Sequence, residues 1–190
     1  MSVFNSLPPK INQIHLINWL KDNYSFLSKK SIYLKKLNSE RDRNFLVNIK
    51  STQKYVLKIS NPEESRTLLD LQDYILNNLI KRKSLKQYIP KIAHSSIKIY
   101  SDLMNRECCV RILSYIDGEM YASVKHNAKI ERSLGNLLGN LSKELQNLNK
   151  PSAFRKFEWD PSNISWINKE INLFKGTNKN IILNNLKEHN

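Results

Sequence analysis

The sequence predicts an α+β chain: a five-stranded antiparallel sheet, interrupted by one helix after its third strand and followed by helices. Three observations carry that expectation. Short runs rich in β-branched and aromatic residues recur between polar segments. The apolar period lengthens to three or four immediately after Ser60, and a second helical pattern starts near Lys129.

The elements follow in order. "KINQIHLINWLKDNY" (10–24) spaces Ile11, Ile14, Ile17, Leu20 and Tyr24 for one face of an amphipathic helix. "SIYLKKLN" (31–38), "RNFLVNIK" (43–50) and "KYVLKIS" (54–60) read as three antiparallel strands, with "KSTQ" as the hairpin turn between the last two. Asn61 then reads as a helix cap, with Pro62 at the first helical position and Glu64 completing a capping box. Leu68, Leu71, Ile75 and Leu79 form the stripe of that helix, and Lys81, Arg82 and Lys83 close its last turn. "SSIKIY" (95–100) and "CCVRILSYI" (108–116) are two further strands, and "DGEM" ends the sheet pattern. "IERSLGNLLGNLSKELQNL" reads as a long amphipathic helix despite two glycines. "FEWDPSNISWINKEINLF" reads as a tryptophan-bearing turn entering another helix.

Composition narrows the class. The chain has 190 residues, 40% hydrophobic and 25% charged, which suits a folded globular protein. No apolar run approaches the roughly 18 residues a membrane helix needs. The start, "MSVFNSLPPK", lacks the basic-then-apolar order of a secretory signal, so the expected location is cytoplasmic, with no membrane partner. Cys108 and Cys109 are adjacent and have no third cysteine to pair with, and His15, His94, His126 and His189 are scattered. The cysteines therefore read as small strand residues rather than a disulfide or metal pair. The net charge of +14 favours an anionic partner, yet lysine is spread along the whole chain, with its densest cluster in "KRKSLK" (81–86).

Lys58 breaks the apolar run "YVLKIS". Side chains alternate along a strand, so Tyr55, Leu57 and Ile59 share one face while Lys54, Val56 and Lys58 share the other. Taken alone, that fits a solvated lysine on a half-exposed strand. A strand ending in V-x-K before a helix also fits a lysine that grips phosphate, with the valine as an apolar roof for a nucleotide base. The loop "NSERDRNF" (38–45) lies where backbone amides and Ser39 would cover the phosphates, although it holds no glycine.

"LNSERDRNFLV", "KYVLKISNPEE", "LLDLQ", "VRILSYIDGE" and "EWDPSN" occur in this order. Together they resemble the aminoglycoside phosphotransferase and choline kinase-like family, and within it the hydroxylysine kinase-like branch, over roughly residues 25–165. The resemblance implies a protein-kinase-like small lobe with a five-stranded sheet and one helix, then a helical large lobe. It divides the chain into an N-terminal helical segment (1–28), a nucleotide-binding lobe (29–116), and the hinge exit with the start of the large lobe (117–190). It also implies ATP and magnesium as cofactors and a hydroxyl-bearing small molecule, usually an amine, as acceptor. Carried over, Lys58 is the phosphate-contacting lysine, Val56 the base roof, and Ser39, Arg41 and Asn44 belong to the loop over the phosphates. Backbone groups near Ser114 and Ile116 would read the adenine edge, with Gly118 allowing the turn out of the hinge. Gln72 takes the place of the glutamate that usually pairs with the lysine, and Asp73 is expected to turn away from the stripe.

The chain departs from the family most where the chemistry resides. No H-x-D-x-x-x-x-N loop and no magnesium-binding aspartate follow Asp160, so the sequence reads as the front part of such a kinase, without catalytic residues of its own. Two other readings fit the same residues. One is a basic nucleic-acid-binding module, although no nucleic-acid motif is present. The other is a catalytically inactive regulator of kinase fold.

Overall fold

Asn12 starts the first helix as a cap, its side chain accepting from the amides of Ile14 and His15. This helix, α1 (Gln13–Asn23), leads into a single antiparallel sheet in the computed structural model, which describes residues 6–49, 53–154 and 166–188. The strands are β1 (Ile32–Leu37), β2 (Arg43–Ile49), β3 (Gln53–Ile59), β4 (Lys98–Ser101) and β5 (Glu107–Ser114). Their spatial order is β1-β2-β3-β5-β4, so β5 inserts between β3 and β4. The α+β class and the element order are those expected from the sequence. The expected hairpin turn falls on residues 50–52, outside the described residues.

Register decides which face each side chain takes. Leu34, Val47, Tyr55 and Ser114 lie in line across the strands, as do Lys58 and its partners Asn44 and Arg111. One face carries Phe45, Val47, Leu57, Ile59, Val110 and Ile112, which join Leu16, Leu20, Tyr24 and Leu27 in the main core. Each fully buried leucine there contributes about 2 kcal/mol by leaving water. The α1 stripe differs from the expected one: Leu16 is buried and Ile14 is 71% exposed. Cys108 lies in this core as a free thiol pushed by burial up to about 12, in keeping with a small strand residue.

The second helix, α2 (Arg66–Leu79), connects β3 to the segment before β4. It begins later than expected. Ser65 is its cap, while Asn61 is buried in a turn, accepting from the Glu63 amide and donating towards the carbonyls of Leu7 and Arg41. The Asn-Pro-x-Glu pattern thus caps a turn instead of the helix. Leu71 and Leu79 are buried as expected, but Leu69 is buried as well while Leu68 and Ile75 are only half-buried, so the inward face is wider than the expected stripe. The helix ends at Leu79, so Lys81, Arg82 and Lys83 lie beyond its last turn. Leu85, fully buried, anchors the run of turns that follows.

Beyond β5, Gly118 has no left-handed backbone conformation, and nothing lies within 4 Å of a Cβ placed on it, so the chain turns there without needing glycine. The third helix, α3 (Ala128–Leu145), is capped by Asn127 and has no buried residue. These elements belong to one compact unit, Met1–Asn149. The second unit, Lys150–Asn190, contains α4 (Ile167–Glu170) and α5 (Gly176–Glu188). The expected tryptophan-bearing turn lies on residues 155–165, outside the described residues. Gly176 has φ 57° and starts α5, a helix that the sequence patterning did not separate from the one before it.

The β4–β5 turn is tied to the N-terminal segment by a buried carboxylate. Asp102 accepts from the amides of Lys10, Met104 and Arg106 and from the Arg106 guanidinium at 2.7 Å. Arg106 also donates to the carbonyls of Leu7 and Pro8. Burial raises the Asp102 carboxyl, but the hydrogen bonds from Arg106, Lys10 and Met104 outweigh it and hold the group at about 2. Because the folded value lies below the ordinary 3.8, its stabilisation is complete above about pH 4 and declines as pH falls towards 2. Asp102→Asn is expected to cost about 2 kcal/mol at neutral pH and to flatten the acid limb of the stability profile between pH 4 and 2, measured by urea denaturation.

Candidate functional site

The face of the sheet opposite the main core carries Leu46, Val56 and Leu113 in line, and beside them Asn44, Lys58 and Arg111. Alternation along β3 places Lys58 there, two residues from Val56 and facing away from Leu57 and Ile59. Its side chain is 28% exposed, so it is a half-buried cation. The Lys58 ammonium lies 4.0 Å from Asp42 Oδ2, too far for a hydrogen bond. Asn44 Oδ1, in the neighbouring strand position, is buried without a hydrogen-bond partner. Lys58 thus remains able to donate to a further acceptor.

Arg111, directly opposite Lys58, is only 3% exposed and is held by α2. Its Nη1 donates to Asp73 Oδ1 at 2.7 Å and its Nη2 to Gln72 Oε1 at 2.6 Å, with the Leu69 carbonyl at 3.5 Å from Nη1. Residues 69, 72 and 73 are spaced i, i+3 and i+4, so a single helix face supplies all three groups. This corrects two expectations. Gln72 binds Arg111 rather than Lys58, and Asp73 faces the sheet instead of turning away. Both follow from the wider inward face of α2, since residues 72 and 73 lie one turn beyond the buried Leu69.

The loop before β2 is folded onto the end of β3. Ser39 Oγ donates to the Asp42 carbonyl at 2.7 Å, so that hydroxyl is engaged within the loop. Asp42 Oδ1 accepts from the Asn61 amide at 3.0 Å, and the Arg41 carbonyl accepts from Asn61 Nδ2. Asp42 lay in the loop expected over the phosphates but without a role beside Lys58, and Arg111 was absent from the sequence-derived site. Only the β2–β3 and β3–β5 register brings them beside Lys58; neither has a local motif that reveals its neighbour.

The exit of β5 is also occupied differently from expectation. The Ser114 amide donates to the Lys91 carbonyl and its hydroxyl accepts from the Lys91 amide, both at 2.8 Å. Tyr115 donates its amide to the Lys54 carbonyl, and Lys54 pairs with Asp117 at 2.6 Å. Ile116 is 44% exposed. The Ser114 amide is therefore not open to a base edge, whereas Ile116 is accessible. Among the described residues, no group of three or more His, Cys, Asp or Glu side chains is placed to hold a metal ion. None of the described helices is long and apolar enough to cross a membrane.

No family model and no curated protein matches the sequence. Among solved structures, the chain is similar to the microcompartment-associated aminopropanol kinase, with 14% identity and a TM-score of 0.44. The match covers 77% of this chain but only 45% of that one.

Replacing Arg111 tests the clamp directly. Arg111→Met leaves Asp73 unpaired against the sheet and is expected to destabilise the fold by about 3 kcal/mol. Adding Asp73→Asn should restore part of that loss, because the stranded charge is gone; chemical denaturation of both variants measures the difference.

Proposed function

We propose that this chain is the nucleotide-binding part of an ATP-dependent small-molecule kinase, with Lys58 as the residue that grips the phosphates. The observation that carries the reading is the state of Lys58: half-buried, fixed by a central strand, and without a carboxylate at hydrogen-bond distance. Arg111 opposite it adds positive potential, largely offset by Asp73, so an incoming phosphate would pair chiefly with Lys58. The apolar strip of Leu46, Val56 and Leu113 offers a flat support for a base, with Val56 at its centre. Arg41, Ser39 and Asn44 belong to the phosphate-covering segment. Since the Ser39 hydroxyl and Ser114 amide are already engaged, the adenine edge is assigned to backbone groups around Ile116.

The acceptor would be a hydroxyl on an amine-bearing metabolite such as hydroxylysine, as in the resembled family. Magnesium, when bound with the nucleotide, would offset the negative charge of the phosphates. Its usual aspartate and asparagine ligands, and the catalytic aspartate, have no counterpart matched in this sequence. The residues here accordingly bind and orient nucleotide; positioning the acceptor and stabilising the transferring phosphoryl group need groups that they do not supply.

Titrating the chain with ATP tests the reading. Lys58→Ala is expected to weaken the base-dependent ATP site about tenfold or more, while Gln72→Ala should leave it nearly unchanged because Gln72 serves Arg111. Equal ATP affinity in wild type and Lys58→Ala would overturn the assignment. Residues 1–190 alone are expected to show no isotope transfer from ATP to hydroxylysine; measured turnover would overturn the division of labour.

A further inference from the structure

We propose that two cavities flanking Gln87 form a second anion site, which takes a short phosphate chain. They lie on either side of Gln87, with volumes of about 530 and 450 Å³. Lys83, Lys86 and Lys91 line the first; Lys129 and Arg132 line the second. Neither lining contains an aspartate or glutamate. Lys58 lines neither, although Ser114, Tyr115 and Ile116 line the first, which therefore borders the backbone assigned to the adenine edge.

The five cations contrast with those elsewhere in the same unit. Lys54, Arg66, Arg82, Arg106 and Arg111 each have a carboxylate oxygen within 3.2 Å. Among the described residues, none of Lys83, Lys86, Lys91, Lys129 and Arg132 is ion-paired. Like charges gathered round one hollow repel one another, and a polyanion reverses the sign of that energy.

The five cations are exposed, and the backbone that carries them is fixed before any ligand arrives. Leu85 is fully buried and fixes the turns that present Lys83 and Lys86. Both backbone groups of Lys91 are bonded to Ser114. Arg82 pairs with Glu144 at 2.8 Å, tying these turns to α3, whose first turns carry Lys129 and Arg132. The positive end of the α3 dipole lies at the same place. Ser84, Ser133 and Asn136 add hydroxyl and amide donors suited to phosphate oxygens. Two cavities joined at one residue suit a chain of phosphates better than a single ion. That chain could be the tail of a nucleotide or an inorganic polyphosphate.

Sodium triphosphate, which has no base, is the probe, titrated calorimetrically into the full chain. The expected result is binding that weakens with added salt as the charges are screened. In a Lys58→Ala background, which removes the proposed nucleotide lysine, Lys83→Gln/Lys86→Gln and Lys129→Gln/Arg132→Gln should each weaken the remaining triphosphate binding about tenfold, while Lys83→Arg/Lys86→Arg should retain it. No binding by wild type, unchanged affinity in both glutamine pairs, or loss on Lys58→Ala would overturn the proposal. Binding of a short oligouridylate without triphosphate binding would overturn it too, in favour of nucleic acid. In the same Lys58→Ala background ATP separates the two sources: affinity above that of triphosphate points to a nucleotide, equal affinity to the bare phosphate chain. The two sites fail separately, because Lys58→Ala removes the proposed nucleotide lysine and the glutamine pairs remove only the second site's cations.

Discussion

A buried guanidinium orders one face of this protein. Arg111 sits mid-strand in β5 with almost no exposure, and such a cation is tolerable only if its charge and donors are met. α2 meets them, through Asp73, Gln72 and the Leu69 carbonyl. That requirement sets the rotation of the helix about its axis. It also decides what Lys58 has beside it: a neighbouring cation whose charge is already paired with Asp73, and no α2 side chain of its own.

The consequence is a division of roles between two cations that are direct neighbours on the sheet. Arg111 is structural and docked through both terminal nitrogens, with its buried Nε left without a partner, while Lys58 is positioned and under-used. A protein that needed only stability at Lys58 could place a carboxylate in contact with it. Instead Asp42, the carboxylate beside Lys58, spends one oxygen on the Asn61 amide and leaves the other 4.0 Å from the ammonium. The loop, the strand end and the following turn are thereby fastened together without neutralising the lysine closely. The N-terminal segment is fastened by the same kind of device at the same end of the sheet, where Asp102 and Arg106 gather Leu7, Pro8 and Lys10 and Asn61 donates to the same Leu7 carbonyl.

The distribution of the remaining charge follows a similar logic. Net charge said only that anions would be attracted, and lysines spread along the sequence formed no recognisable stripe. Folding sorts them: some are paired across the unit, and others are collected around Gln87, where segments 83–91 and 129–132 meet although far apart in sequence. Charge becomes a site only when partners are withheld from several cations at one place, which composition cannot express.

Periodicity alone determined the five strands, the helix after the third and the long helix near residue 129, because alternation and helical spacing are local properties of the chain. It also put Lys58 and Val56 on the face opposite Leu57. Its errors were errors of phase and boundary: Leu68 for Leu69, Ile14 for Leu16, and Asn61 for Ser65 as a cap. Several apolar residues lie within a turn of each other in these helices, so spacing permits more than one stripe. The choice among stripes belongs to tertiary structure. In α2 it was made by Arg111, contributed by a strand 38 residues further along the chain from Asp73. Asp42 beside Lys58, the engaged amide of Ser114 and the cations around Gln87 likewise depend on register and long-range contact, which only the folded chain supplies.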